Sequence, residues 1–165
     1  MDMKKTTLLA LSALFVLASC DLQFRKQDER IKALSRMQQT DVDFALMAEK
    51  EGYRKAFLAY MEEDAVLLRD NHMPIIGADA VQFISSINDT AFTVSWEPMG
   101  GDVGESGDLG YTYGTYLLKS ATEKQEGTYI TIWRRQKDGS WKYILDGGTQ
   151  GLKPVEVDST VAPAD

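Results

Sequence analysis

The chain has 165 residues, 44% hydrophobic and 26% charged, which suits one globular domain with a short extension and excludes wholesale disorder. Its formal net charge is −7, with no compensating run of Lys and Arg, so nucleic acid is not a natural partner. A single cysteine excludes an internal disulfide.

Lys4 and Lys5 precede "LLALSALFVLAS", Leu8 to Ser19, a charged segment followed by an apolar run too short to remain as a membrane span. The run ends in Leu17-Ala18-Ser19-Cys20, which resembles the lipobox of bacterial lipoproteins. That resemblance implies removal of residues 1–19, acylation of Cys20, and anchoring on a membrane of the bacterial cell envelope, facing the periplasm or the outer surface. Loss of Asp2, Lys4 and Lys5 leaves the mature chain one unit more acidic. Asp21 favours inner-membrane retention in some Gram-negative bacteria, a rule that varies between lineages and leaves the membrane open.

Residues 20–40 read as a tether entering a first helix, with Ile31, Leu34 and Met37 as a thin apolar stripe. From Asp41 a stronger helical face forms from Val42, Ala45 and Ala48 with Phe44 and Met47, until Gly52 interrupts it. A second helix turns Ala56, Phe57, Tyr60 and Met61 inward. "AVLLR", Ala65 to Arg69, reads as a strand; Pro74 and Gly77 mark a loop, and Ala78 to Ile87 a third helix.

After Asn88 the pattern becomes alternating. "AFTVSWEP" predicts a strand stopped at Pro98, and "GGDVGESGD" a turn or bulged strand. "LGYTYGTYLLKS" predicts a strand whose Gly110 and Gly114 mark a bend or a close backbone approach. "GTYITIWRRQ" and "SWKYILDG" flank Asp138-Gly139, a hairpin signal. Residues 151–165 read as a disordered tail. Helices first and long strands after them give an α+β fold, with helices on one face of a curved antiparallel sheet and a conical hollow between.

From about Asp41 to Gly148 the chain resembles the nuclear transport factor 2-like superfamily, and within it the small domains of unknown function grouped with SnoaL-like cyclases and ketosteroid isomerases. "EEDAVLL", "GADAVQFI", "SGDLGYTYGTY" and "TYITIWRRQKDGSWKYILDGG" carry the resemblance. It implies the cone fold for residues 41–150 but leaves the function open, since the superfold hosts enzymes, ligand binders and dimerisation modules. The isomerase branch places its general base four residues beyond the Ala of an Asp-Ala pair. Here the pair is Asp64-Ala65 and that position holds Arg69, with Asp70 one residue late.

Three residues are candidate acid–base groups. Asp64 sits at a helix-to-strand junction, where a carboxylate more often bonds backbone or a nearby Arg or Tyr. Asp70 follows Arg69. His72 is the only histidine, and the favoured reading is a solvated loop residue beside Pro74. With one His and one Cys, a transition-metal site lacks ligands. Asp102, Glu105 and Asp108 match no calcium-loop spacing, and no cofactor motif is present.

The aromatics carry the binding expectation. On the strand from Thr128 to Arg135, Tyr129, Thr131 and Trp133 share a face; on the next, Trp141, Tyr143 and Leu145 do. Tyr111 and Tyr113 oppose Gly110, Thr112 and Gly114. Both sheet faces are therefore partly apolar, one against the helices and the other needing cover, which a second copy of the chain would supply. A ligand lining is expected from Tyr53, Tyr60, Trp96, Tyr111, Tyr113, Tyr129 and Trp133, with His72 at its rim. The leading expectation is a binder of a small apolar or aromatic molecule. Its alternatives are an acid–base enzyme and a module that only dimerises or docks.

Overall fold

A computed structural model describes the backbone of residues 3–153 and the side chains of residues 23–153. The side chain of Cys20 and residues 154–165 of the expected tail lie outside that range. Nine elements follow in order: α1 (Met3–Glu51), α2 (Tyr53–Tyr60), β1 (Met61–Leu67), β2 (Ile75–Ile76), α3 (Ala78–Ser86), β3 (Phe92–Val103), β4 (Leu109–Ser120), β5 (Lys124–Arg135) and β6 (Trp141–Gln150). The strands form one sheet in the order β2-β1-β6-β5-β4-β3, antiparallel but for the parallel pair β1–β6.

The segment expected as a tether is helical throughout and enters the core well before Asp41. Ala33, Met37, Asp41, Phe44 and Ala48 recur at spacings of three and four and are all buried, so they form the inner stripe of α1. Val42, expected on that face, points outward and is 37% exposed. Arg30 ties the helix to the sheet, donating from Nη2 to Asp102 Oδ1 at 2.6 Å and from Nε to the Val103 carbonyl at 3.1 Å. The acidic turn is thus partly a helix anchor, with Ser106 donating to Asp108.

Gly52, at φ 97°, breaks α1 from α2 in a conformation that suits glycine. It supplies no capping side chain. Asp89, beyond α3, does so from a distance: Arg54 donates from its backbone N–H to Asp89 Oδ2 at 2.9 Å and from Nε to Oδ1 at 3.2 Å. Helix α2 ends at Tyr60 and β1 starts at once at Met61, four residues ahead of the expected strand.

Pro98 does not stop β3, which runs on to Val103. The strand lies at the sheet edge, where a missing N–H costs no ladder bond, and a register shift between Pro98 and Gly100 absorbs the irregularity. The glycines within β4 and β5 permit close approach. Gly110 is paired with Trp133, Gly114 with Tyr129 and Gly127 with Tyr116, so three inward rings each have a neighbouring strand position without a side chain. A Cβ on Gly114 would lie 2.9 Å from Tyr129 Cε1 and would also meet the Glu97 carbonyl.

The core sits between the helices and the inner sheet face. Phe44 is its hub, with ring centroids 4.8 Å from Phe57, 4.6 Å from Trp96, 5.0 Å from Tyr60 and 5.9 Å from Tyr143. The outer sheet face exposes Leu109, Tyr111, Tyr113 and Ile130.

Candidate functional site

Inward-facing side chains do not fill the cone. A cavity of about 260 Å³ remains between the helices and the middle of the sheet. Phe44 of α1, Tyr53 and Phe57 of α2, and Phe83 of α3 form the helical wall. Val94 and Trp96 of β3, then Tyr116 and Leu118 of β4, form the strand wall; the registers set Trp96 beside Tyr116 and Val94 beside Leu118. The polar end combines Arg69 and Asp70, just past β1, with Gln125, Tyr129 and Thr131 of β5 and Asp146 of β6.

Two carboxylates organise that end. Asp41 is 0% exposed, one helical turn from Met37 on the apolar stripe of α1. Trp96 Nε1 donates to its Oδ1 at 3.0 Å and the Tyr129 hydroxyl to its Oδ2 at 2.8 Å. Thr112 is a third partner, and its Oγ1 accepts from Trp133 Nε1 at 2.8 Å. Burial pushes the Asp41 carboxyl above its ordinary range, and the hydrogen bonds from Trp96, Tyr129 and Thr112 only partly reverse this. Burial likewise pushes the Tyr129 hydroxyl far up, with the adjacent Asp41 charge adding to it, so Tyr129 stays protonated.

The second carboxylate, Asp146, accepts from Arg69 Nη2 at Oδ1, 2.6 Å, and from Thr131 Oγ1 at Oδ2, 3.0 Å. Arg69 is further fixed by the carbonyls of Leu68 at 2.9 Å and Asp146 at 3.1 Å, and its Nη2 lies 3.4 Å from the Tyr53 hydroxyl. Burial opposes the guanidinium charge, but Asp146 outweighs it and Arg69 remains a cation.

A bulge explains how Asp146 reaches the cavity. Ile132 pairs with Leu145 but Trp133 with Tyr143, which leaves Ile144 as the extra residue on β6. That residue flips the alternation, so Asp146 is buried next to Thr131 instead of Leu145 following Tyr143 inward. Strict period-two reading of β6 therefore misses Asp146.

The expected site residues divide between the cavity and other surroundings. Tyr53, Trp96, Tyr129 and Asp70 line the cavity. Tyr60 packs beside Phe44 in the core, and Trp133, 0% exposed, is bound to Thr112; neither lines it. Tyr111 and Tyr113 stack on each other on the outer face, 43% and 47% exposed, because β4 turns its even-numbered residues inward. Asp64 is exposed on β1 and lies off the cavity. His72 is an exposed loop residue whose Nδ1 lies 2.9 Å from the Asp70 carbonyl and whose ring edges Phe83 at 5.4 Å. The Asp70 carboxylate accepts from Gln150 Nε2 at 2.7 Å. The three expected acid–base side chains are therefore not assembled around one point. Asp146 joins the expected Asp70 in the cavity lining, and Asp41 lies buried behind Trp96 and Tyr129; neither Asp146 nor Asp41 is among the site residues expected from sequence. Among the described residues no cluster of three or more His, Cys, Asp or Glu could hold a metal, and no helix is long and apolar enough to cross a membrane.

No protein-family profile matches the chain, and no curated protein matches it in sequence. Solved structures share its fold. A candidate scytalone dehydratase from Novosphingobium aromaticivorans is 14% identical, with a TM-score of 0.62 over 84% of this chain and 99% of that one. A ketosteroid isomerase-like protein from Erwinia carotovora atroseptica is 15% identical, with a TM-score of 0.59 over 73% and 97%. A Catenulispora acidiphila protein in complex with S-DNPA is 12% identical, with a TM-score of 0.53 over 70% and 91%. The chain thus has the nuclear transport factor 2-like α+β cone fold.

Proposed function

We propose that this domain binds a small, largely apolar or aromatic molecule in the cone, at the bacterial cell envelope. The carrying observation is the aromatic-walled cavity of about 260 Å³, whose polar end is built from side chains already hydrogen-bonded to one another. Such a lining is rigid before the ligand arrives, which lowers the ordering cost of binding. A neighbour of the same fold was solved in complex with S-DNPA, which supports a binding use of the fold. Binding is favoured over acid–base catalysis because Asp64, Asp70 and His72 do not converge and both oxygens of Asp146 are engaged.

Of the three tryptophans, only Trp96 lines the cavity, so an aromatic ligand should quench its fluorescence while Trp133 and Trp141 report little. Leu118→Trp places a large ring into the cavity from β4. It should abolish binding of a naphthalene probe, followed by quenching or calorimetry, with circular dichroism unchanged. Undiminished binding to a folded Leu118→Trp variant would remove the cavity as the site.

Anchoring through Cys20 rests on Leu17-Ala18-Ser19-Cys20 closing an apolar run. Radiolabelled palmitate should be incorporated into the native chain and not into Cys20→Ser. Equal labelling of the two would refute the anchor.

A further inference from the structure

The anchor position at Cys20 and the mouth of the cavity lie toward opposite ends of α1. The helix is continuous from Met3 to Glu51, so Cys20 belongs to the same rod that crosses the sheet. It enters over the β3–β4 turn, where Arg30 donates from Nε to the Val103 carbonyl at 3.1 Å and Gly107 packs on Ala33. It leaves at the other end of the strands. There Tyr53, two residues past α1, meets Phe92, the first residue of β3, with ring centroids 5.8 Å apart.

The cone is filled at the first of these ends and open at the second. Met37, Val103, Trp133, Trp141 and Tyr143 are buried at the filled end. In the cavity lining Phe44, Phe57, Thr131 and Asp146 are buried, whereas Leu68, Asp70 and Gly148 are exposed and Leu118 and Gln125 half-buried. Leu118 pairs with Gln125 where β4 ends and β5 begins, and Gly148 lies near the end of β6. The mouth is therefore on the side where β3 starts, away from the β3–β4 turn.

The early turns of α1 stand clear of the cone. From Gln23 to Lys32 every residue is exposed except the half-buried Arg30, and Ala33 is the first buried residue among those described. At about 1.5 Å per residue, position 20 is about 20 Å from Ala33 and about 36 Å from Phe44 of the cavity wall. Phe24, 78% exposed, is four residues past Cys20 and so on the same helix face. An aromatic ring one turn from an acyl anchor reaches headgroup depth, where such rings are stable. Further along that face come Ile31, Ser35, Gln38, Val42 and Glu49, too polar to hold the rest of the helix in the interface. Charge acts in the same direction. Residues 21–32 set Arg25, Lys26, Arg30 and Lys32 against Asp21, Asp28 and Glu29, while the chain beyond them carries the acid excess and is repelled by anionic headgroups.

Resting on the anchoring proposed above, we infer that α1 is a rigid spacer between bilayer and cone. Its early turns contact the lipid surface through Phe24, the filled end of the cone points to the membrane, and the mouth opens into the aqueous compartment. The ligand accordingly enters from water and not from among the lipid chains.

The test places the full acylated protein on phosphatidylcholine–phosphatidylglycerol vesicles whose acyl chains carry bromine, a contact quencher of tryptophan. One tryptophan is added at Phe24, at Val42 on the outer side of α1, or at Lys119, exposed beside Leu118 at the mouth; its signal is the difference from the native chain. Phe24→Trp should lose at least about half of its added emission relative to unbrominated vesicles, while Val42→Trp and Lys119→Trp should each lose about a tenth or less. Quenching of Val42→Trp as deep as that of Phe24→Trp would lay α1 along the bilayer, and quenching of Lys119→Trp would turn the mouth to the lipid. Either result overturns the orientation. An unquenched Phe24→Trp, on protein that floats with the vesicles, removes the lipid contact and the inference but leaves the anchor standing. Protein that does not float with the vesicles refutes the anchor itself, and the inference with it.

Discussion

Asp41→Ala is expected to lose about 3 kcal/mol of stability in chemical denaturation, far more than an exposed helical acid would. Asp41 sits where the helical stripe calls for an apolar residue, is 0% exposed, and receives donors from Trp96 and Tyr129 at 3.0 and 2.8 Å. Truncation leaves those donors buried without an acceptor and opens a void beneath the cavity floor. Asp41→Asn separates charge from hydrogen bonding. Its oxygen can still accept from Trp96, while its amide can donate to the Tyr129 oxygen, so the loss should be about 1 kcal/mol or less.

The two variants also differ in their dependence on pH. Asp41 has a folded pKa raised above its ordinary 3.8, chiefly by burial. Between 3.8 and that raised value the folded chain holds more protons than the unfolded chain, so stability falls as pH rises through this window and levels off above it. Asp41→Asn should flatten that decline. A decline of unchanged slope in Asp41→Asn would show that Asp41 is not its source.

Arg69→Met is the second large effect, at about 3 kcal/mol, because it strands Asp146 as a mostly buried carboxylate with Thr131 as its remaining side-chain partner. The side chains of Arg69 and Asp146 are only 21% and 11% exposed, so the loss should persist at high salt, unlike that of a surface pair. Asp146→Leu alone leaves the guanidinium unpaired and should cost a similar amount. The Arg69→Met/Asp146→Leu double variant removes both charges and should be more stable than the sum of the single losses by at least about 1 kcal/mol. Additive losses in urea denaturation would mean that the pair is not coupled.

These experiments bear on residues of unequal visibility in sequence. Asp41 was within reach: an acid one turn from Met37 and three residues before Phe44 interrupts an apolar stripe, and a carboxylate on a buried face needs donors. Val42, Ala45 and Ala48 form an equally good periodic face one residue later, which masks it. Arg69 stands out in sequence four residues beyond Ala65 of the Asp-Ala pair, but nothing local marks it as the partner of Asp146, 77 residues away. Tyr116 and Gln125, both in the cavity lining, carry no motif; only the β4–β5 register brings their side chains within 2.8 Å.

The order of elements, the strong curvature implied by glycines within long strands, the Asp138-Gly139 turn and the alternation of aromatics are local properties, and the sequence alone determined them. Chain statistics at periods of two and three to four residues suffice for that. Which sheet face meets the helices was a tertiary decision, since Tyr111 and Ile130 on one side match Tyr129 and Trp133 on the other in apolar bulk. So was the entry of Asp146 into the cavity lining beside Asp70. A single extra residue in β6, Ile144, inverts the facing of everything after it, and a bulge is stabilised by pairing with the neighbouring strand, which no local pattern encodes.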